Sequence, residues 1–366
     1  MAALFLFSRA HSRSQAIAWA AGEPQATTIP PLNTQLLFST APGLQCRNAS
    51  DVSTLSDAAI TTGSPWPTGC DVAGLSAAPR GPWAAVTLAC YETVLTGLIQ
   101  VHTGESKLIA TDVGPDSIFL GWSPNGNEVL VRADVVGNPQ VYHIRAANGQ
   151  ATLLPVPSDT YHVDIAHNGQ RMVYALTRGL GYGSELWSAD LDGQNAQRLI
   201  SDPTHIIAYA RYSPNGQQLV YIRMIDSNIP FTVGELWVMD ADGSNAALLG
   251  EADAGHGYEA AWSPDGSAIA YVRRENGHDA RADQRPEHLM SNIVVADVNT
   301  HVLTAITTLT DGFAESPAWS PDGNTLAFAV FRNGAADIWA YAPQTHALNQ
   351  ITTNANARYP TWLFGR

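Results

Sequence analysis

The sequence predicts an all-β fold, a closed β-propeller of four-stranded antiparallel blades, and three observations carry that prediction. A turn phrase recurs at propeller spacing, strand patterns follow it in a fixed order, and the two chain ends supply complementary parts of one more repeat. The phrase is an aromatic residue, Ser-Pro, Asn or Asp, then Gly. It stands at Trp122-Ser123-Pro124-Asn125-Gly126, Tyr212-Ser213-Pro214-Asn215-Gly216, Trp262-Ser263-Pro264-Asp265-Gly266 and Trp319-Ser320-Pro321-Asp322-Gly323. Fainter copies at Ala166-His167-Asn168-Gly169 and Ala78-Pro79-Arg80-Gly81 bring the landmark glycines to 81, 126, 169, 216, 266 and 323, at intervals of 45, 43, 47, 50 and 57 residues. A repeat of this length, built from short strands, is the signature of a propeller or a similar array.

Within each repeat the elements follow in order. Pro presets φ for the second turn position, Asn or Asp suits the third, and Gly supplies the positive φ that re-enters a strand, so the phrase reads as a hairpin. The next strand alternates as a half-buried one should: Gln218–Ile222, Ala268–Val272 and Thr325–Ala329. A third strand recurs as Glu185–Asp190 and Glu235–Asp240, and Asp192-Gly193 and Asp242-Gly243 after it suit two-residue turns. Arg198–Ile200 and Ala246–Leu249 read as the fourth. With blades on both sides, the aromatic before Ser-Pro is expected to pack between them. Burying a Trp removes roughly 150–250 Å² from water, worth about 4–6 kcal/mol as an upper bound.

The chain ends Arg358-Tyr359-Pro360-Thr361-Trp362, which matches Glu315-Ser316-Pro317-Ala318-Trp319 and then stops. Near its start, Gln35–Ser39 reads as a second strand lacking a first, and Ala58–Gly63 resembles the fourth-strand stretch Thr304–Thr308. One blade shared by both ends would close the ring and leave no open edge. That gives seven blades, starting near Gln35, Asp71, Ser117, Tyr161, Ile207, Tyr258 and Ala314. Between Cys46 and Leu55 no clean alternation is present, and six blades with an irregular N-terminal collar is the alternative.

Residues 34–366 thus form a single propeller domain, preceded by residues 1–33 as a flexible tail or degenerate targeting segment. Ala2–Phe7 is apolar but short, and Arg9, His11 and Arg13 interrupt the order a signal peptide needs. Residues 21–33, with Pro24, Pro30 and Pro31, read as an extended linker. A net charge of −14, with only 14% charged residues, argues against a nucleic-acid surface. No run approaches the roughly eighteen apolar residues of a membrane span, so a soluble protein without membrane insertion is expected, as a monomer. Cys70 precedes the first strand of its blade and Cys90 ends the second, nearly opposite. A Cys70–Cys90 bridge, a bridge from Cys70 to Cys46, and three unpaired thiols are the readings open; a disulfide would favour an extracytoplasmic location.

The Ser-Pro-Asp/Asn-Gly phrases, Glu-Leu-Trp third strands and Asp-Gly turns resemble the propeller repeat of the TolB family over roughly residues 71–362. The resemblance implies a bacterial cell envelope protein, periplasmic or secreted; a cytoplasmic location is the alternative. It also implies likeness to the propeller domains of prolyl-oligopeptidase-type enzymes. TolB carries an N-terminal α/β domain before its propeller, which residues 1–33 are too few to build. The fold by itself does not assign a task.

Catalysis of the prolyl-oligopeptidase type needs a Gly-x-Ser-x-Gly elbow on an added domain, and the sequence contains no such pentapeptide. The cysteines lack zinc spacing, and there is no phosphate-binding loop or dinucleotide fingerprint. The insertion carrying His278, Asp279, Asp283, Glu287 and His288 has metal-ligating residue types, against the plain reading of a solvated loop. On the channel-lining strands, Phe119, His162, Tyr209, Glu259, Ser316 and Tyr359 align three residues before the landmark. Tyr258, Glu315 and Arg358 occupy the neighbouring register, and Asp164 and Arg211 lie nearer the turn. Tyrosine, histidine, arginine and carboxylates converging at a channel mouth suit a protein, peptide or glycan ligand; the competing reading is that strand ends facing a wet channel are polar in any propeller. Taken together, a non-catalytic binding module without a cofactor is expected. The alternatives are an envelope assembly scaffold, and a lyase or lactonase using His162, Asp164, His256 and Glu259 with Ca²⁺ or another divalent cation in the channel.

Overall fold

The computed structural model describes residues 35–40, 43–48, 58–59, 66–67, 69–90, 93–101, 103–109, 117–135, 138–254 and 259–363. The tail 1–33 and the stretch 60–63 lie outside them. Among the described residues the fold is all-β, with one single-turn 3₁₀ segment, Pro286–His288, and no α-helix. The strands form a propeller arrangement of four-stranded antiparallel blades, spanning 71–108, 117–153, 160–202 and 205–253. Strands of 261–305 and 313–350 share an eight-stranded sheet through a parallel contact of Ser291 with Phe313. Gln35–Thr40, Gly43–Asn48 and Ala58–Ala59 form a sheet whose fourth strand is Arg358–Leu363, with Leu36 opposite Trp362 and Leu37 opposite Thr361.

The repeated phrase folds the same way each time. In Trp122–Gly126, Gly126 N–H donates to Ser123 O at 2.9 Å and Gly126 takes φ 72°, the left-handed region that glycine enters without a Cβ penalty. The Ser123 hydroxyl donates to Asn125 Oδ1 at 2.8 Å and accepts the Glu128 N–H at 3.1 Å. Ser213, Ser263 and Ser320 repeat the donation to Asn215, Asp265 and Asp322 at 2.8, 2.6 and 2.6 Å. The serine thus bridges the turn to the next strand, a short-range side-chain bond that favours a turn over continued strand.

The landmark tryptophans do more than fill space. Trp122, Trp262, Trp319 and Trp362 donate their indole N–H groups to Ser76, Arg211, Ala261 and Ala318 carbonyls at 3.1, 3.3, 3.2 and 2.9 Å, each on the preceding blade's innermost chain. Apolar clusters lie between neighbouring sheets, for example Val173, Ala175 and Leu186 against Ile207, Leu219 and Tyr221. At the chain ends, Leu36, Phe38 and Trp362 pack on Ala327, Ala329 and Ile338, while Leu37 and Leu44 pack on Ala84, Val86 and Leu88.

Two expectations need correction. Asp192-Gly193 is not a two-residue turn: Gly193 N–H bonds Asp190 O and Asp190 N–H bonds Gln194 O, both at 2.9 Å, so three residues make the loop. Asn195 then takes φ 52° to rejoin the fourth strand, and Asp242-Gly243 repeats the pattern with Asn245 at φ 53°. The 275–290 insertion is anchored rather than simply solvated. Ala282 and Leu289 are buried with Phe313, and the buried Arg274 reaches Asp283 at 3.3 Å. Cys70 and Cys90 are joined by a disulfide with Cα atoms 4.2 Å apart, flanking the paired residues Asp71 and Ala89.

Tyr271 is 1% exposed and its hydroxyl has no hydrogen-bond partner among the described residues; burial pushes its pKa up to about 12. A Cβ on Gly250 would sit 2.7 Å from that oxygen. Tyr271→Phe, which removes an unsatisfied buried group, is therefore expected to leave stability unchanged or raise it by up to about 1 kcal/mol. Gly250→Ala should destabilise the parent by about 1–3 kcal/mol and cost less in Tyr271→Phe, a coupling that urea denaturation of the four proteins measures.

Candidate functional site

The innermost strands bring five of the sequence-predicted residues together: His162, Asp164, Tyr209, Arg211 and Glu259. Tyr258, and His256 of the enzyme alternative, lie outside the described residues. Arg211 is the hub. Its Nε and Nη2 donate to Glu259 Oε2 and Oε1 at 3.0 and 2.6 Å, a two-pronged pair. Nη1 donates to Asp164 Oδ1 at 3.2 Å, and Nη2 also reaches Leu120 O at 2.7 Å. The other Asp164 oxygen accepts the Tyr212 N–H at 2.8 Å. One guanidinium thereby ties three innermost strands to the segment carrying Glu259. Arg211 and Asp164 side chains are 15% and 16% exposed, whereas Glu259 is 45% exposed.

Local backbone explains the aim of these groups. The innermost strands carry β-bulges at the aligned position, where the pairing register shifts between Phe119 and Gly121, Thr160 and His162, Ala208 and Arg211, and Glu315 and Ala318. Tyr209, Ser316 and Tyr359 take left-handed φ values of 54°, 55° and 56° there. A bulge bends the strand and redirects its side chains, at a cost of about 1–2 kcal/mol for a left-handed non-glycine residue. Gly121 provides the space: a Cβ there would meet Arg211 Nη1 at 3.1 Å. A glycine facing side chains at the equivalent position of other repeats is the sequence signal that would have found this.

Electrostatics follow from burial and pairing. Desolvation pushes the Glu259 carboxyl up, but the charge and hydrogen bonds of Arg211 outweigh it and hold the group below its ordinary value. For Asp164 burial prevails over Arg211 and the carboxyl is raised. His162 is 5% exposed, and its Nε2–H donates to Ala210 O at 2.9 Å. Burial, reinforced by the Arg211 charge, lowers its pKa to about 4. The Tyr209 ring meets it edge-on at 6.2 Å, and Tyr161 donates its hydroxyl to Ile207 O.

A second group gathers at the strand shared with the chain end. Arg358 Nε and Nη2 donate to Glu315 Oε1 and Oε2 at 2.6 and 2.7 Å, with the Glu315 side chain wholly buried. The Arg358 guanidinium lies 5.1 Å from the Tyr359 ring centre. Among the described residues no group of three or more His, Cys, Asp or Glu side chains is arranged to hold a metal ion. In the insertion, Asp279 pairs with Arg281 at 2.8 Å and Asp283 with Arg274, so two of its carboxylates are engaged by arginines.

His162 carries a pH signature. The unfolded chain binds its proton near pH 6.5 and the folded chain only near 4, so the unfolded state holds more protons in that window and stability falls as pH drops through it. The parent should lose about 2 kcal/mol more than His162→Gln between pH 7 and 4.5, with the raised Asp164 acting in the opposite sense at the acid end. Urea midpoints at both pH values measure the difference.

Residues 225–363 match the family model described as the TolB beta propeller domain. That stretch carries TolB-like propeller repeats. In structure it is similar to an oligogalacturonate lyase in complex with manganese (TM-score 0.56, 13% identity, covering 89% of this chain and 86% of that one). It is also similar to a prolyl endopeptidase (TM-score 0.59, 11% identity, 84% of this chain and 45% of that one). TolB from Acinetobacter baumannii matches with TM-score 0.49 and 17% identity over 79% of this chain, which spans 65% of the length of that protein. At these identities the likeness is one of fold. No helix among the described residues is long and apolar enough to cross a membrane.

Proposed function

We propose that the protein is a non-catalytic binding module, a seven-bladed TolB-like propeller that takes a protein, peptide or glycan ligand at its channel mouth. The observation that carries this reading is the Arg211 hub, in which the ionisable groups are committed to one another and the Glu259 carboxylate, held by both prongs of Arg211, stays half-exposed within range of the Tyr209 hydroxyl. General acid–base work calls for a free group that titrates near neutrality. His162 instead is held neutral with Nε2 engaged, and Asp164 is spent on Arg211 and the Tyr212 amide. The pairing of Gln35–Thr40 with Arg358–Leu363, and apolar clusters on both sides of that sheet, support seven blades with the ring closed by the two chain ends. The Cys70–Cys90 disulfide supports an extracytoplasmic site of action. A ring closed by its two chain ends, whose blades end on outer strands as short as Ser106–Leu108 and Ala151–Leu153, suits a monomer.

The enzyme alternative draws on likeness to the manganese-bound lyase, and would place a divalent cation near His162, Asp164 and Glu259. Against it, all three are already engaged by neighbouring strands, His162 by Ala210 O, Asp164 by Arg211 and the Tyr212 amide, and Glu259 by both prongs of Arg211. The test is an array of peptides and oligosaccharides probed with labelled full-length protein, Glu259→Gln and Tyr209→Ala, with bound ligands recovered for mass spectrometry. The reading predicts a ligand class held by the parent, weakened at least about tenfold by either substitution, and recovered intact. Ligand recovered cleaved, or binding indifferent to both substitutions, contradicts it.

A further inference from the structure

A second surface lies away from the channel hub, on the connections between second and third strands. The loop Arg178-Gly179-Leu180-Gly181-Tyr182-Gly183 has glycine at every second position, with φ of 122°, 84° and 65°. Its alternate side chains, Arg178, Leu180 and Tyr182, all point to solvent, Leu180 being 57% and Tyr182 70% exposed. The loop is held, not loose. Asp226 of the next connection accepts the Gly181 and Gly183 N–H groups at 2.7 Å each, and Thr177 Oγ1 donates to Gly183 O at 2.6 Å. A Cβ on Gly183 would sit 2.0 Å from Asp202 O, so that residue has to be glycine. The tie brings the loop of Leu180 and Tyr182 to the connection that bears Ile229 and follows Ile225, the last residue of its strand, both also exposed; these are four of the eight large exposed apolar residues among those described. Phe231 N–H bonds Asp283 O at 3.1 Å, which extends the rim to the 275–290 insertion.

Charge decides what such a rim fits. Asp226 is occupied by backbone amides, Glu275 by Arg273, Asp279 by Arg281 and Asp283 by Arg274. Glu287, and Asp159 whose carbonyl accepts the Thr177 N–H, have no ion-pair partner among the described residues. Arg178 and Arg285, by contrast, are exposed and have no ion pair there. In a chain of net charge −14, free guanidinium groups beside an apolar cluster complement a ligand carrying carboxylates and apolar side chains. Tyr and Arg are also the residues that dominate binding at protein interfaces. We propose that the Arg178–Tyr182 loop, with Ile225 and Ile229, is a docking surface for an acidic, apolar-rich polypeptide segment, independent of the channel ligand.

The test uses random dodecapeptides displayed on phage, selected against the full-length protein, and then synthesised for fluorescence titration. Selected peptides are expected to combine Asp or Glu with Leu, Phe or Trp. Affinity should fall at least about tenfold in Leu180→Ser/Tyr182→Ser and in Arg178→Glu, and hold in the channel variant Glu259→Gln. Unchanged melting temperatures for the rim variants establish that they fold. The proposal is overturned by selected peptides that are basic, by binding the rim variants retain, or by no enrichment. Two further results also overturn it: parent binding to phosphatidylserine vesicles lost in the rim variants, which assigns the surface to a membrane, and parent self-association in sedimentation that those variants abolish. Loss of binding only in Glu259→Gln overturns it too, while leaving the channel reading in place.

Discussion

Arg211→Ala is expected to cost about 3 kcal/mol of folding stability, with up to about 5 as the upper bound for breaking a buried ion pair. The substitution leaves the Asp164 carboxylate with the Tyr212 N–H as its remaining bond in the hub, and takes the guanidinium donor from Leu120 O. Glu259, at 45% exposed, relaxes into water and adds little. Against a total stability of about 5–15 kcal/mol this is a large fraction. Arg211→Lys retains charge but not the two-pronged geometry and should recover only part of the loss. Arg211→Met combined with Asp164→Asn, which removes both buried charges, should be more stable than Arg211→Ala. A loss below about 1 kcal/mol by urea denaturation would show that the hub does not join the strands energetically.

Removing residues 358–366 should have a larger effect still. It takes away the strand opposite Gln35–Thr40, the Trp362 indole bond to Ala318 O at 2.9 Å, and the Arg358 partner of the buried Glu315. It also deletes Thr361, whose hydroxyl accepts the Ala77 N–H at 3.0 Å. The deleted strand thus bonds the sheet on either side of its own. Trp362 alone is worth about 4–6 kcal/mol by area, so the sum is comparable to the whole stability of a domain. The truncated chain should lose cooperative thermal melting and aggregate through the exposed edge of Gln35–Thr40. Retention of the parent melting transition would count against ring closure by the two ends.

Much of the fold was legible because propeller periodicity repeats its information. Each Ser-Pro-Asx-Gly phrase marks a hairpin through local chemistry, and local chemistry is what a sequence displays. The match of Arg358–Trp362 to Glu315–Trp319 likewise pointed to a strand pairing across the whole chain. The Asp-Gly turns misled, since the same dipeptide also suits a three-residue loop, and the left-handed Asn195 two residues later decides between them. The insertion misled because its many polar side chains conceal two buried apolar anchors, Ala282 and Leu289.

For the candidate site, residue identity was visible and partnership was not. Asp164, Arg211 and Glu259 were all singled out, but their separations of nearly one repeat each do not reveal that one guanidinium joins them. That geometry depends on bulges and on the space at Gly121, neither of which alternation reports. Nor did any repeat pattern single out the Arg178–Gly183 loop, since connections vary while the scaffold repeats.

The most direct test of a metal-free binding module is the thermal melting of the purified full-length protein with Ca²⁺, with Mn²⁺, and with a chelator. The same melting temperature is expected in all three, because the carboxylates of the hub are held by Arg211 and the Tyr212 amide. A rise of several degrees with either ion, reversed by the chelator, would mean preferential binding of the cation to the folded state. That result would overturn the metal-free binding module in favour of a cation-dependent channel enzyme.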